Sequence, residues 1–177
     1  ITYSEAGERM EVSTPAGTTT SITLDDGTQV LLSANSRLEY SKSFSADKRE
    51  VKLVGEARFN VAKDAERPFI VHTRQLQTQV LGTVFDVKAY PQTPVDVTLY
   101  EGKVEVSLNG DAPQLMQPGE QAFLDKEGKL QLAKASEETG KWAEGEFAFD
   151  NRELMAVMQE IGSWYNISVV FHSPPLP

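Results

Sequence analysis

Apolar side chains recur at every second position through most of the chain, which is the pattern of strands with one buried face. The clearest example is residues 51–61, where mostly polar side chains fill the gaps. From Thr18 to Leu132, turn residues return about every 8 to 12 positions, a spacing typical of an all-β sandwich or related barrel. We therefore predict about ten to thirteen short strands in this part of the chain.

Glycine-containing turns divide the predicted strands. Residues 25–27, Asp-Asp-Gly, lie between two alternating segments and predict a tight hairpin, since glycine adopts positive φ and aspartate accepts hydrogen bonds from backbone amides. Residues 101–102 and 109–110 predict tight hairpin turns of the same kind between later strands. In this interpretation Asp25 and Asp26 form a turn rather than the carboxylate pair of a glycosidase.

The alternation stops after residue 132, where the chain becomes polar and charged. We predict an all-β domain over residues 1–135, a linker over residues 136–145 and an incomplete second domain over residues 146–177. The predicted fold class is mainly β: an antiparallel β-sandwich or jelly-roll-like domain followed by a partial α+β (βαβ) domain.

The second domain is predicted as a strand, a helix and a strand. Asp150 and Glu153 have the spacing of a capping box at the start of the helix, and Asn166 is suited to the left-handed conformation that ends one. Period two then resumes over residues 167–171. A unit of this size is marginal alone, so it must pack on the β-domain, on further chain or on another molecule.

The composition excludes several kinds of chemistry. The 177 residues include no cysteine, which excludes disulfides, thiol catalysis and cysteine-ligated metal sites. The net charge of −9, from 26 acidic and 17 basic side chains, opposes binding to nucleic acid. His72 and His172 have no metal-binding or catalytic spacing, and no serine lies in GxSxG. We expect no enzyme, no metal and no cofactor.

The apolar runs are far shorter than the roughly 20 residues that cross a bilayer, and no signal peptide opens the chain. Because the chain starts at Ile1 rather than methionine and stops within a proline-rich segment, residues 173–177, we expect it to be a piece of a longer protein. Any membrane anchor is expected outside it.

The order of several motifs resembles the FecR family of periplasmic anti-sigma regulators. The resemblance covers roughly Thr18 to Gly119, and its motifs are Asp26-Gly27, Arg49 with the strand to Val61, Arg67-Pro68-Phe69, Leu81-Gly82-Thr83 with Phe85 and Val87, Gly102 with Val104, and Pro118-Gly119. The tail beyond Trp142 is similar to the start of the short signalling domain of secretins and TonB-dependent transporters.

The resemblance implies a signalling role in a Gram-negative bacterium. The chain would be the periplasmic sensor portion of an inner-membrane protein, receive a signal from the signalling domain of a TonB-dependent outer-membrane transporter, and control an extracytoplasmic-function (ECF) sigma factor. The sigma factor would be held by a cytoplasmic segment absent here, joined through a transmembrane helix that is also absent. Some FecR relatives cleave themselves at a Gly-Thr bond, which Gly82-Thr83 matches.

Aromatic residues in the last quarter are the candidates for partner binding, because such side chains dominate binding hot spots. Core packing is the rival explanation for each of them. A partner strand added to the edge of residues 147–149 or 167–171 would use the same region. The candidate partner-binding residues are Trp142, Phe147, Phe149, Trp164, Tyr165 and Val169.

The sequence is compatible with two other functions. A carbohydrate- or ligand-binding β-sandwich of a secreted protein would show exposed aromatics across the β-domain, yet Phe44, Phe59, Phe69 and Phe85 mostly occupy apolar-face positions. A structural spacer would have no specific partner. For the polar strand residue Glu56 we expect an ion pair with Arg67 or Arg49.

Overall fold

The computed structural model describes residues 8–108, 110–137, 139–145 and 153–170. Within these ranges the chain forms thirteen strands, a short 3-10 turn and one α-helix, so the mainly β prediction is confirmed. In chain order the elements are β1 (Arg9–Thr14), β2 (Thr20–Thr23), β3 (Gln29–Leu32), β4 (Ser36–Ser41), β5 (Arg49–Asn60), β6 (Phe69–His72), β7 (Leu76–Val80), β8 (Val84–Ala89), β9 (Asp96–Glu101), β10 (Val104–Leu108), β11 (Gln114–Met116), β12 (Glu120–Leu124), β13 (Leu130–Lys134), the 3-10 turn (Lys141–Glu144) and α1 (Leu154–Tyr165).

Strand β5 organises the whole sheet, because its two halves pair with different neighbours. The N-terminal half pairs with β4 and β6, and the C-terminal half pairs with β3 and β8. Gly55 marks the junction with φ of 101°. A side chain there would also lie 2.7 Å from Cα of Ser36, so only glycine fits at this junction between the two halves of β5.

Two branches therefore share β5. One runs β1-β4-β5-β6-β7-β10-β11, and the other runs β2-β3-β5-β8-β9-β12-β13. The path of nine strands from β11 through β5 to β13 is a nearly closed, barrel-like sheet. The predicted hairpin around residues 25–27 is confirmed as the β2–β3 pair.

The sheet is mixed, so the predicted antiparallel arrangement is wrong at one pair of strands. Strands β5 and β6 run parallel, with Arg49 opposite Phe69 and Lys52 opposite His72. The chain leaves the end of β5, returns over residues 61–68 and begins β6 beside the start of β5. Alternation in a sequence shows which face of a strand is buried, but it does not show the direction of the neighbouring strand.

The turn at residues 101–103 also differs from the prediction. It joins β9 to β10, but these strands do not pair, since β9 lies between β8 and β12 while β10 lies between β7 and β11. The chain thus passes from one branch to the other at Gly102, which has φ of 93°. The predicted strands are present, whereas the hairpin between them is not.

One hydrophobic core fills the space between the branches. Phe59, Phe69 and Phe85 have no solvent exposure, as the sequence predicts for apolar-face aromatics. The rings of Phe59 and Phe85 stack with centroids 5.2 Å apart, and Phe59 and Phe69 lie 6.0 Å apart. Since β5, β6 and β8 supply these three rings, the core joins both branches.

Helix α1 begins later and ends where the sequence predicts. Glu153 has ψ of 133° and makes no side-chain capping bond, so the predicted capping box is wrong. At the other end Asn166 is left-handed with φ of 53°, and Ile167 N–H donates to the Gly162 carbonyl at 2.9 Å. This is a Schellman motif. Residues 167–170 form no strand, and the predicted strand at 146–149 lies outside the described residues.

Candidate functional site

A buried arginine anchors the motif residues at the start of β5. Arg49 has no solvent exposure, and its Nη1 donates to Oδ2 of Asp26 at 2.7 Å and to the Ala62 carbonyl at 2.8 Å. Its Nε donates to the Arg67 carbonyl at 2.9 Å, and its guanidinium lies 5.5 Å from the centre of the Phe69 ring. Arg49 therefore ties the β2–β3 turn to the segment that returns to β6.

The ion pairs differ from those expected for Glu56. Arg49 pairs with Asp26, and Arg67 pairs with Asp64, with Nε 2.8 Å from Oδ2. Glu56 lies instead on the outer face of β5, opposite Lys88 of β8. The expected Glu56 pair with Arg67 or Arg49 is therefore wrong, because Arg49 points into the core and Arg67 is held at its own turn.

Gly82 and Thr83 lie where β7 leads into β8. A side chain on Gly82 would lie 2.8 Å from Cα of Lys63, so two backbones approach each other closely here. Thr83 is 4% exposed, and its hydroxyl donates to the Lys103 carbonyl at 3.0 Å. The place of a Cβ on Gly102 is 3.0 Å from the Gly82 carbonyl oxygen, so three chain segments meet here.

Trp142 has a definite partner on the β-domain. Its indole Nε1–H donates to Oδ2 of Asp86 at 3.1 Å, and the same carboxylate accepts from Tyr100 at 2.8 Å and from Arg58 at 2.7 and 2.9 Å. The Arg58 guanidinium also donates to the Gly140 carbonyl at 2.9 Å and lies 4.7 Å from the centre of the Tyr100 ring. Trp142 thus holds the 3-10 turn against the outer face of β5, β8 and β9.

The electrostatics around Asp86 favour the hydrogen bonds that Arg58 and Tyr100 donate to it. The hydrogen bonds to Asp86 raise the pKa of Arg58 above its usual range. Burial and the Asp86 carboxylate raise the pKa of the Tyr100 phenol as well. Arg58 stays charged and Tyr100 stays a hydrogen-bond donor at neutral pH, so the turn remains anchored.

Helix α1 lies on the same side of the molecule. The Gly17 N–H donates to the Trp164 carbonyl at 2.7 Å, and the Asn35 side-chain amide donates to the Ser163 carbonyl. Gly17 has φ of 72°, and a side chain there would lie 3.3 Å from the Tyr165 ring. The end of α1 is thereby joined to the loops that flank β2 and β3.

The remaining candidate residues divide into covered and exposed positions. Trp164 and Val169 are partly buried, whereas Tyr165 is 52% exposed. The neighbouring apolar residues Ile167 and Val170 are 58% and 70% exposed. Phe147 and Phe149 lie outside the described residues. The structure therefore brings Trp142 and α1 to one side of the β-domain and leaves an apolar surface at the end of the helix.

The described part of the chain offers neither a metal-binding cluster nor a membrane-spanning helix. No group of three or more histidine, aspartate or glutamate side chains there could hold a metal ion. None of its helices is long and apolar enough to cross a membrane. His72 is accounted for by Glu50, with Nε2 3.1 Å from Oε1, and His172 lies outside the described residues.

The family model for FecR protein matches residues 10–105, more than half of the chain. This chain belongs to the FecR family. The FecR region contains the Arg49 cluster, the Gly82-Thr83 crossing and Asp86, whereas Trp142 and α1 lie beyond it. The FecR family is a regulatory, non-enzymatic family of anti-sigma factors.

Solved structures extend the likeness past the FecR region. A crystal structure of a "putative anti-sigma factor" from Parabacteroides distasonis ATCC 8503 is 33% identical, with a TM-score of 0.83, and the match covers 90% of this chain and 76% of that one. A second crystal structure bearing the same name is 34% identical, with a TM-score of 0.82 and coverage of 89% and 75%. No curated protein sequence gives a significant match.

The contacts of several residues on the outer face of β5 and β8 are not predictable from the sequence. Arg58, Asp86 and Lys88 occupy the polar positions of their strands, which predicts only that they point away from the core. Their partners come from other strands, from the 3-10 turn and from α1. No spacing along the chain encodes those contacts.

Proposed function

We propose that this FecR chain is the periplasmic sensor portion of a transmembrane anti-sigma regulator, which receives a signal from a TonB-dependent outer-membrane transporter and controls an ECF sigma factor. Family membership over residues 10–105 is the observation that carries this proposal. The match to an anti-sigma factor at 33% identity supports it. The membrane helix and the cytoplasmic segment that holds the sigma factor would belong to the rest of a longer protein.

The contact with the transporter is proposed at the end of α1. Tyr165, Ile167 and Val170 expose apolar surface there, and residues 167–170 form no strand with other described residues. An added strand from the signalling domain of the transporter would bond to this backbone, while the apolar side chains would give specificity. The segment around Phe147 and Phe149 is the alternative edge for the same partner.

Calorimetric titration with the signalling domain of the transporter encoded beside this gene tests the proposal. We expect saturable binding that Ile167→Asp and Val169→Asp each weaken at least about tenfold, because a buried charge at an interface is costly. Leu115→Asp is the matched control, since Leu115 is 49% exposed on β11, at an edge of the sheet. It should leave binding unchanged.

Absence of binding between two folded partners would contradict the proposal, and a glycan screen would then test the ligand-binding alternative. The structure offers little for that alternative. Phe59, Phe69 and Phe85 are in the core, so they provide no aromatic platform for a sugar ring.

Self-cleavage at Gly82-Thr83 is a second proposal for the same chain. The Thr83 hydroxyl oxygen would bond to the Gly82 carbonyl carbon as the Gly82–Thr83 C–N bond breaks, the Thr83 amine would take the hydroxyl proton, and water would hydrolyse the resulting ester. The hydroxyl must first leave the Lys103 carbonyl that it contacts at 3.0 Å. Mass spectrometry of the purified protein would show two fragments, and Thr83→Ala would give one intact chain. An intact wild-type chain would overturn the proposal.

A further inference from the structure

Three charged side chains form a row across the outer face of β5, β8 and β9. Glu56 lies opposite Lys88 in the β5–β8 ladder, and Lys88 lies opposite Asp96 in the β8–β9 ladder. Helix α1 adds a fourth, because Oε1 of Glu160 is 3.7 Å from Nζ of Lys88. One ammonium group therefore lies among three carboxyl groups: it is paired with Glu160 and has Glu56 and Asp96 as its cross-strand neighbours.

We propose that Glu56, Lys88 and Asp96 form a proton-dependent latch for α1, which is closed when the two carboxyl groups are protonated and loosens when they ionise. With both carboxyl groups neutral, the Lys88–Glu160 pair is balanced in charge. With both ionised, two uncompensated negative charges lie partly buried beside Glu160, and moving α1 away returns water to them. The latch is a contact within the chain and needs no partner.

The direction of the pH dependence follows from the two carboxyl groups. The pKa of Glu56 is raised to about 8 and that of Asp96 to about 6; burial is the main cause in both, Lys88 opposes it, and the Glu160 charge adds to the rise. Opening the latch rehydrates both groups and removes Glu160, so both pKa values fall and protons are released. The closed state is thus favoured at low pH, and its advantage is lost as pH rises through about 6 and then about 8.

Lys88, Tyr90 and Tyr100 keep their protonation state over that range. Nearby carboxylates, with Glu56 and Glu160 foremost, hold the pKa of Lys88 above its usual value despite burial, so it stays charged. Burial raises the pKa of Tyr90 and that of Tyr100, so both phenols stay neutral. The neighbours that act on the row are Asp86 of β8, Tyr90 after β8, Gln121 of β12 and Glu160 of α1. Arg58 of β5 and Tyr100 of β9 lie beside it and bind Asp86.

A distance measurement across the latch tests the inference. Because the chain has no cysteine, Gln159→Cys on α1 and Gln114→Cys on β11 provide two exposed sites for spin labels. We expect one narrow distance distribution at pH 5 and a second, displaced population that grows toward pH 9. For each proton released, the ratio of open to closed changes by up to about tenfold per pH unit.

Variants assign the effect to the row. Glu56→Gln with Asp96→Asn mimics the protonated pair and should keep the pH 5 distribution up to pH 9. Glu11→Gln with Asp111→Asn makes the same charge change at exposed sites away from this face and should behave as the wild type. Glu160→Gln alone should move the midpoint to lower pH.

Identical distance distributions at pH 5 and pH 9 in the wild type would overturn the inference. So would an equal pH response in the Glu56→Gln, Asp96→Asn variant, and near-ultraviolet circular dichroism shows whether that variant has folded. If it does not fold, the midpoint of Glu160→Gln decides, since an unchanged midpoint also overturns the latch. The test uses no transporter domain, so its result is separate from that of the titration.

Discussion

Nη1 of Arg49 lies 2.7 Å from Oδ2 of Asp26, and the two side chains are 0% and 4% exposed. The guanidinium also binds the Ala62 and Arg67 carbonyls, so its charge is compensated by one carboxylate and two backbone dipoles. Asp26 in turn accepts hydrogen bonds from the Thr28 amide at 3.0 Å and hydroxyl at 2.7 Å. These contacts fix the place where the chain turns back to form the parallel β5–β6 pair.

Asp26→Ala should lower the free energy of unfolding by about 3 to 5 kcal/mol, because it leaves the Arg49 charge buried without its partner. Urea denaturation measures this. Asp25→Ala is the matched control, since Asp25 is exposed in the same turn, and it should change stability by less than about 0.5 kcal/mol. Asp26→Leu with Arg49→Met should recover much of the loss, and equal losses in both aspartate variants would contradict the prediction.

Trp142→Phe should release the 3-10 turn while leaving the β-domain folded. The phenyl ring keeps most of the packing but cannot donate to Asp86, and a hydrogen bond to a charged group contributes about 1.5 to 3 kcal/mol. Limited trypsin digestion should then cut faster at Lys134 or Lys141. Trp164→Phe is the comparison, because it makes the same exchange on α1 and not on the 3-10 turn. The prediction fails if both variants resist trypsin as the wild type does.

Gly82→Ala should destabilise the β-domain, because the added methyl would lie 2.8 Å from Cα of Lys63. Forcing two backbones apart in a packed region costs about 1 to 3 kcal/mol. Thermal unfolding should therefore occur at a lower temperature. Thr83→Ser keeps the hydroxyl that bonds to the Lys103 carbonyl, and it should have the smaller effect of the two. The opposite order would show that the close approach is not the constraint.

The contribution of Glu56 to the free energy of unfolding should fall as pH rises from about 4.5 to about 8. Burial raises its folded pKa to about 8 from an ordinary 4.5, so the native state binds more protons across this window. The contribution is complete below 4.5 and lost above 8, with a slope of at most about 1.4 kcal/mol per pH unit. Urea titrations at several pH values should show a shallower slope for Glu56→Gln. An unchanged slope would place the effect elsewhere.

The sequence predicts local structure well because local structure depends on neighbouring residues. Period two identifies strands such as β5, residues 25–27 identify the β2–β3 hairpin, and Asn166 identifies the end of α1. Each of these depends on backbone conformation or on which face of an element is buried.

Strand pairing and the candidate site depend on contacts between residues that are far apart in the chain. The sequence does not predict those contacts. Gly102 suggests a hairpin, yet it carries the chain from one branch to the other, since β9 pairs with β8 and β12 while β10 pairs with β7 and β11. Trp142 stands in a polar segment whose sequence gives no sign of Asp86, 56 residues earlier. The sequence identifies both Arg49 and Asp26 as motif residues, but only the fold shows that they form an ion pair.

The place of β5 in both branches has a consequence for the order in which the protein is made. Strands β3 and β4 precede β5 along the chain and β6 follows it directly, but β8, the remaining neighbour of its C-terminal half, begins only at Val84. Until that residue emerges, half of β5 presents unpaired backbone N–H and C=O groups along one edge. A chain that stops before Val84 therefore keeps an open edge, through which unfinished β-proteins associate with one another.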